Sequence, residues 1–209
     1  MGVETRVGVF ITGEAGDFLG AFNAGALILI RRGSANDYPG YAMYGGEVGV
    51  VGSVGRAAGA YLSGGRILVW GSAGPYAGLR MRGGAVVVKG DAGEGAACGQ
   101  AGGEIALLGK CAGTVGAGMV GGVAFVRKET AVDLSAARTE PLDAAAATRL
   151  RELASWVKAA GVNTADFVRV VPAAVKSPPG AAPRAPGAPD EAKAFVDSFV
   201  SRVEEDDDG

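Results

Sequence analysis

Residues 52–70 read GSVGRAAGAYLSGGRILVW, residues 71–89 read GSAGPYAGLRMRGGAVVVK, and residues 90–108 read GDAGEGAACGQAGGEIALL. Laid under one another, the three lines share a glycine at the first position, a glycine or alanine at the eighth, a glycine pair at the thirteenth and fourteenth, and then an aliphatic run. The pattern extends in both directions. Units begin at Gly13, Gly33, Gly52, Gly71, Gly90 and Gly109, so the spacing is 20 once and then 19 four times. The eighth position is Gly20, Gly40, Gly59, Gly78, Ala97 and Gly116, and the pair recurs from Gly45-Gly46 to Gly121-Gly122, with Gly25-Ala26 as its first, weaker form. A period of this size marks a solenoid, in which each unit is one coil.

Each pair is followed by a short strand whose side chains alternate between two faces. The inward positions are Ile28/Ile30, Val48/Val50, Ile67/Val69, Val86/Val88, Ile105/Leu107 and Ala124/Val126. Coils stacked at about 4.8 Å turn them into aliphatic columns. Another column, two residues before the pair, holds Met43, Leu62, Met81 and Met119, and Asn23 and Gln100 interrupt it. A small residue at the third position (Ala15, Ala35, Val54, Ala73, Ala92, Cys111) fits a corner where neighbouring coils press close. The fold class expected is all-β: a right-handed parallel β-helix, or β-solenoid, of six to seven coils over residues 1–126. No coil holds enough apolar surface to stand alone, so both ends need covers. Residues 1–12, with Val7, Val9 and Ile11 alternating, supply the first.

Composition changes at Arg127, where glycine nearly vanishes. Ala144 to Ala160 is a helical pattern with Leu150, Leu153, Trp156 and Val157 on one face, Asp143 as N-cap and Gly161 as stop. An apolar run, Phe167 to Val171, ends at Pro172. Residues 127–172 are thus expected to be a capping helix and strand against the last coil. Residues 173–189 have the Pro/Ala-rich composition of a linker. Residues 190–209 give an amphipathic helix, with Phe195, Val196, Phe199, Val200 and Val203 as its stripe, and an acidic tail; so isolated a helix is expected to dock on a partner or on the solenoid.

The chain of 209 residues has 37 glycines, more than twice the ordinary share of about 7%. Its formal net charge of −2 gives no footprint for nucleic acid or an anionic membrane. With no signal peptide and no long apolar stretch, a soluble cytoplasmic protein is expected. The sequence has no histidine, which removes the usual general base and imidazole-ligated metals. Two cysteines, Cys98 and Cys111, make no C-x-x-C motif and read as buried thiols. Gly103 to Lys110 misses the phosphate-loop spacing and has Cys111 where a magnesium-binding hydroxyl belongs. Asp17, Asp37, Glu47, Asp91, Glu94 and Glu104 read as solvated coil edges at differing offsets rather than as converging catalytic carboxylates. Trp70, Arg80, Arg82 and Lys89 offer a candidate contact face. No residue is assigned to catalysis, cofactor binding or metal ligation.

The residues Ala15-Gly16, Phe22-Asn23-Ala24-Gly25, Ala35-Asn36-Asp37-Tyr38 and Met43, and then Gly109-Lys110 through Gly116-Ala117-Gly118-Met119-Val120-Gly121-Gly122, resemble the glycine-repeat (GXGXG) domain that ends the large subunit of glutamate synthase. The helix containing Trp156 before Val170-Val171-Pro172 is similar to the segment on the carboxy-terminal side of that domain in the family. The resemblance implies a non-catalytic scaffold beside a glutamine amidotransferase and an FMN- and iron-sulfur-dependent synthase, with both cofactors on the synthase and none on this chain. Neither of those domains is present here, so they are expected on separate subunits, as in split glutamate synthases or three-subunit N-methylglutamate synthase, which makes a hetero-oligomer the expected state. The repeat subunit of a formylmethanofuran dehydrogenase or of a formyltransferase/hydrolase complex is the alternative. A free-standing carbohydrate-active β-helix is a third reading, which requires secretion and converging carboxylates.

Overall fold

A computed structural model describes residues 7–159 and 161–173. The expected amphipathic helix and all but the first residue of the expected linker lie outside the described residues.

The repeat folds as a parallel β-solenoid of about six turns. Strand β1 (Gly8–Thr12) precedes the first coil, and the six coils contribute β2 (Ala24–Arg32), β3 (Gly45–Val50), β4 (Arg66–Val69), β5 (Arg82–Val88), β6 (Ala101–Leu107) and β7 (Gly121–Arg127). Each pairs in parallel with the next, with Ile28 beside Val48, Val48 beside Ile67 and Ile67 beside Val86. The third-position residues form a second ladder of single parallel bridges, Ala15 to Ala35 and onward to Cys111, and Val115 to Val132 begins a further turn. Inside the coils the columns close on one another, and Val48, Ile67, Val86, Ile105 and Ala124 are fully buried in one apolar cluster with Met43, Leu62 and Met81.

The residues that break the methionine column have a common geometry. Asn23 and Gln100 occupy the same coil position, and each turns its side-chain amide onto the carbonyl three residues on: Asn23 Nδ2 donates to Ala26 O at 2.7 Å and Gln100 Nε2 to Gly103 O at 3.0 Å. Asn23 Oδ1 also accepts from the Gly25 and Ala26 amides. Gln100 is fully buried, its Nε2 also reaches Gly102 O, and its Oε1 has no hydrogen-bond partner among the described residues. An orphaned buried acceptor costs about 1–3 kcal/mol, and methionine already fills this position in the coils on either side, as Met81 and Met119. Gln100→Met is therefore expected to raise the unfolding free energy by about 1–2 kcal/mol, read as a higher urea midpoint with unchanged slope. A lower midpoint would mean that the Nε2 bonds outweigh the orphan.

The segment after Arg127 differs from expectation in its placement. Helix α1 (Ala144–Trp156) has Asp143 as its N-cap, accepting from the Ala146 amide at 2.8 Å, but it stops four residues before the expected end, in a turn where Lys158 and later Gly161 take positive φ. It does not close the end of the stack. It runs along the outer face of the sheet, where Leu150, Leu153, Ala154 and Val157 cover the outward residues Leu68, Val87, Ala106 and Phe125 in a second apolar cluster. The end of the stack is closed by strands: β9 (Phe167–Pro172) pairs antiparallel with β7, and β8 (Ala137–Pro141) pairs antiparallel with β9. At the other end, within the expected cover of residues 1–12, residues 8–12 form β1, which pairs with β2 as the first rung of the same sheet.

Candidate functional site

Three sets of polar side chains run along the coils. At the second coil position, Glu14 Oε2 accepts from the Ser34 amide, Ser34 Oγ from Ser53, Ser53 Oγ from Ser72, Ser72 Oγ from Asp91, and Asp91 Oδ1 from Lys110, all at 2.8–3.2 Å. At the fifth position, Asp17 accepts from the Asp37 amide, and Asp37 from both the Arg56 amide and the Arg56 guanidinium at 2.7 Å. Those contacts, the Arg56 amide first, hold the Asp37 carboxyl below its usual range. At the fifteenth, Glu47 pairs with Arg66 at 2.6 Å and Glu104 with Arg149 of α1. The acids thus recur at three coil offsets rather than at scattered ones. The partners of Glu14, Asp17, Asp37, Glu47, Asp91 and Glu104 are backbone amides and arginines of adjacent elements, a bonding pattern that joins coils. Among the described residues there is no group of three or more His, Cys, Asp or Glu side chains that could hold a metal ion.

The cysteines do not meet. Both are half-buried and free, one in each of two successive coils. Burial pushes the Cys111 thiol up to about 11, against a weaker opposing hydrogen bond from Thr130. A thiol so raised is neutral at physiological pH and a poor nucleophile.

Trp70, Arg80, Arg82 and Lys89 do not form one face. Trp70 and Lys89 stand in the outward row at the strand ends, where Trp70 packs beside the cluster under α1 and Lys89 is exposed. Arg82 opens β5, and Arg80 lies on a different corner, where its Nη1 approaches the Tyr61 hydroxyl at 3.4 Å.

That corner carries the most distinctive surface. At the sixth coil position stand Phe18, Tyr38 and Tyr76, at the tenth Phe22, Tyr61 and Arg80, and beside them Tyr41. All except Tyr41 have φ between 50° and 66°. A non-glycine residue in that region costs about 1–2 kcal/mol, and glycine serves at the same position in a later coil, as Gly95 shows. The strain is partly offset by ring contacts: Phe18 stacks on Tyr38 at 5.1 Å, and Tyr41 meets Phe18, Phe22, Tyr38 and Tyr61 edge-on at 5.6–6.1 Å. Sequence reading missed this array, although aromatic residues recurring at the period of 19–20 were its signal. Rigid, half-exposed tyrosines are favoured where proteins meet. A second surface feature is an open groove of about 1180 Å³ along the outer face of the first coils, bounded by Phe10, Leu27, Glu47 and Arg66 and floored by Gly46 and Gly65. Its charged groups are the paired Glu47 and Arg66.

No helix among the described residues is long and apolar enough to cross a membrane. No curated protein matches the sequence. The family comparison is positive: residues 2–165 match the GXGXG motif, which is associated with glutamate synthase-like proteins. With the match spanning most of the chain, the chain belongs to the GXGXG motif family.

Proposed function

We propose that the chain is a non-catalytic scaffold subunit of a cytoplasmic glutamate synthase-like complex, holding a glutamine amidotransferase subunit and an FMN- and iron-sulfur-dependent synthase subunit in fixed relation. The match to the GXGXG family carries this reading. Two further features support it. The repeat has its polar groups tied into ladders between coils, and the aromatic corner offers a stiff contact surface. N-methylglutamate synthase is the member of this class we favour over a split glutamate synthase, as the better fit for a compact repeat subunit whose sequence carries its own linker and docking helix. In this reading both cofactors reside on the synthase, and this chain contributes no reacting group.

The test is to express the tagged chain in its native host, purify it gently, and identify co-purifying polypeptides by mass spectrometry alongside the absorption spectrum. An amidotransferase and a yellow, flavin-bearing synthase are the expected companions. An amidohydrolase companion would replace this reading with the formyl-transferring one, and a colourless chain without companions would refute both.

A further inference from the structure

The two ends of the solenoid are finished differently. At the far end the outermost strand, β8, presents Arg138 and Glu140 and ends in Pro141, features that keep a sheet edge from pairing further. At the near end β1 reads Gly-Val-Phe-Ile-Thr, with no charge and no proline. Because Val7 O accepts from the Leu27 amide at 2.9 Å, alternation along the strand turns the N–H and C=O groups of Gly8 and Phe10 away from β2. No strand among the described residues pairs with them. Among the described residues nothing covers the apolar columns there: Val9, which stands in register with Ile28, is 42% exposed, whereas Val48 and Ile67, two and three rungs farther in, are 0% exposed. Among the described residues, the end therefore presents an unpaired strand edge beside a partly exposed core side chain.

We propose that two copies of this chain join at this end, β1 against β1, about a two-fold axis. The occupant must bring a free strand edge and an apolar side chain beside it, and another copy of this end supplies both. A two-fold axis sets each residue near its own equivalent, which repels wherever the strand is charged, and β1 carries no charge. The pairing it creates is antiparallel, the arrangement the chain already uses at its other end between β7 and β9. The contact is isologous and closes on itself, so it yields a dimer and not a fibre. This inference does not rest on the identity of the partner subunits.

The full-length chain is measured alone by sedimentation velocity across micromolar concentrations. Twice the chain mass is expected. Two variants probe the contact: Phe10→Pro removes an outward N–H that β2 does not use, and Val9→Lys sets like charges at the axis. Each is expected to weaken dimerisation by more than about tenfold, the loss of one such bond, with the far-UV circular dichroism of the coils unchanged. In the wild-type dimer the Gly8 and Phe10 amides are expected to resist hydrogen exchange. A monomer at every concentration overturns the proposal. So does a dimer that survives both variants, or one whose Gly8 and Phe10 amides exchange freely. Since the chain is tested without companions, failure here leaves the co-purification result untouched, and the reverse holds too.

Discussion

Gly84→Ala is expected to lower the unfolding free energy by about 3 kcal/mol, the sum of left-handed strain and overpacking. Gly84 has φ +75°, and a Cβ built there would lie 2.6 Å from the Gly65 carbonyl oxygen of the preceding coil. The strain alone does not forbid a side chain, because Ala97 occupies φ 59° within the same fold. The approach of the neighbouring coil is what decides. That carbonyl cannot retreat, since Gly65 O accepts the Ala85 amide at 3.0 Å in the inter-coil ladder. Two controls separate the contributions. Gly161 has φ +87° with nothing within 4 Å of its built Cβ, so Gly161→Ala carries strain without collision and is expected to cost about 1 kcal/mol. Gly16 has neither feature, and its replacement by alanine is expected to be close to neutral. Equal midpoints in urea for Gly84→Ala and Gly161→Ala would show that coil-to-coil closeness is not what the second glycine of each pair secures.

The second large effect is expected at the helix. Leu153→Ala removes a fully buried side chain from the layer between α1 and the outer face of the sheet and is expected to cost about 2–5 kcal/mol. The loss should be local at low denaturant, because the interior columns beneath β4–β7 form a separate apolar cluster that Leu153 does not enter. Hydrogen exchange is the appropriate measurement: the α1 amides should lose protection well before those of β5 and β6. If helix and strands lose protection together and by the same amount, the two layers unfold as one unit.

How far these features could be read from sequence differs by element, for physical reasons. The coils were legible because the same backbone demand returns every 19 residues and can be met by few residue types, and because the inward side chains alternate with the outward ones. Strand β9 and the existence of α1 were legible from an apolar run ending at Pro172 and from Leu150, Leu153 and Trp156 at helical spacing. The placement of α1 was not. Yet Val86-Val87-Val88 and Ile105-Ala106-Leu107 are apolar on both faces, which a strand with one wet face does not require. That unbroken run was the sign of a second covering layer, and its residues in the outward row, with Leu68 and Phe125 beside Val87 and Ala106, are the ones α1 buries. Strand β8 gave no sign, since Ala137–Pro141 is a charged edge held by pairing with β9 and by the Glu140–Arg169 ion pair at 2.8 Å. The acids were read as solvated coil edges, and the rule they obey emerges only from setting each beside the residue one coil away. At the aromatic corner the repeat was visible in the text, while the left-handed backbone that aligns Phe18 with Tyr38 was not.

Helix α1 also has a bearing on how this architecture can change length. Its 13 residues extend about 20 Å, close to the height of four strands stacked at about 4.8 Å, and it shares one apolar cluster with outward residues of β4, β5, β6 and β7, among them Leu68, Val87, Ala106 and Phe125. It works as a gauge across the strands it covers. Adding or deleting a 19-residue unit beneath it would shift Leu68 and Phe125 relative to the leucines that cover them, whereas a unit gained or lost among the first two coils would leave every contact of the gauge intact. Variation in the number of coils among related chains should therefore fall on the amino-terminal side of β4.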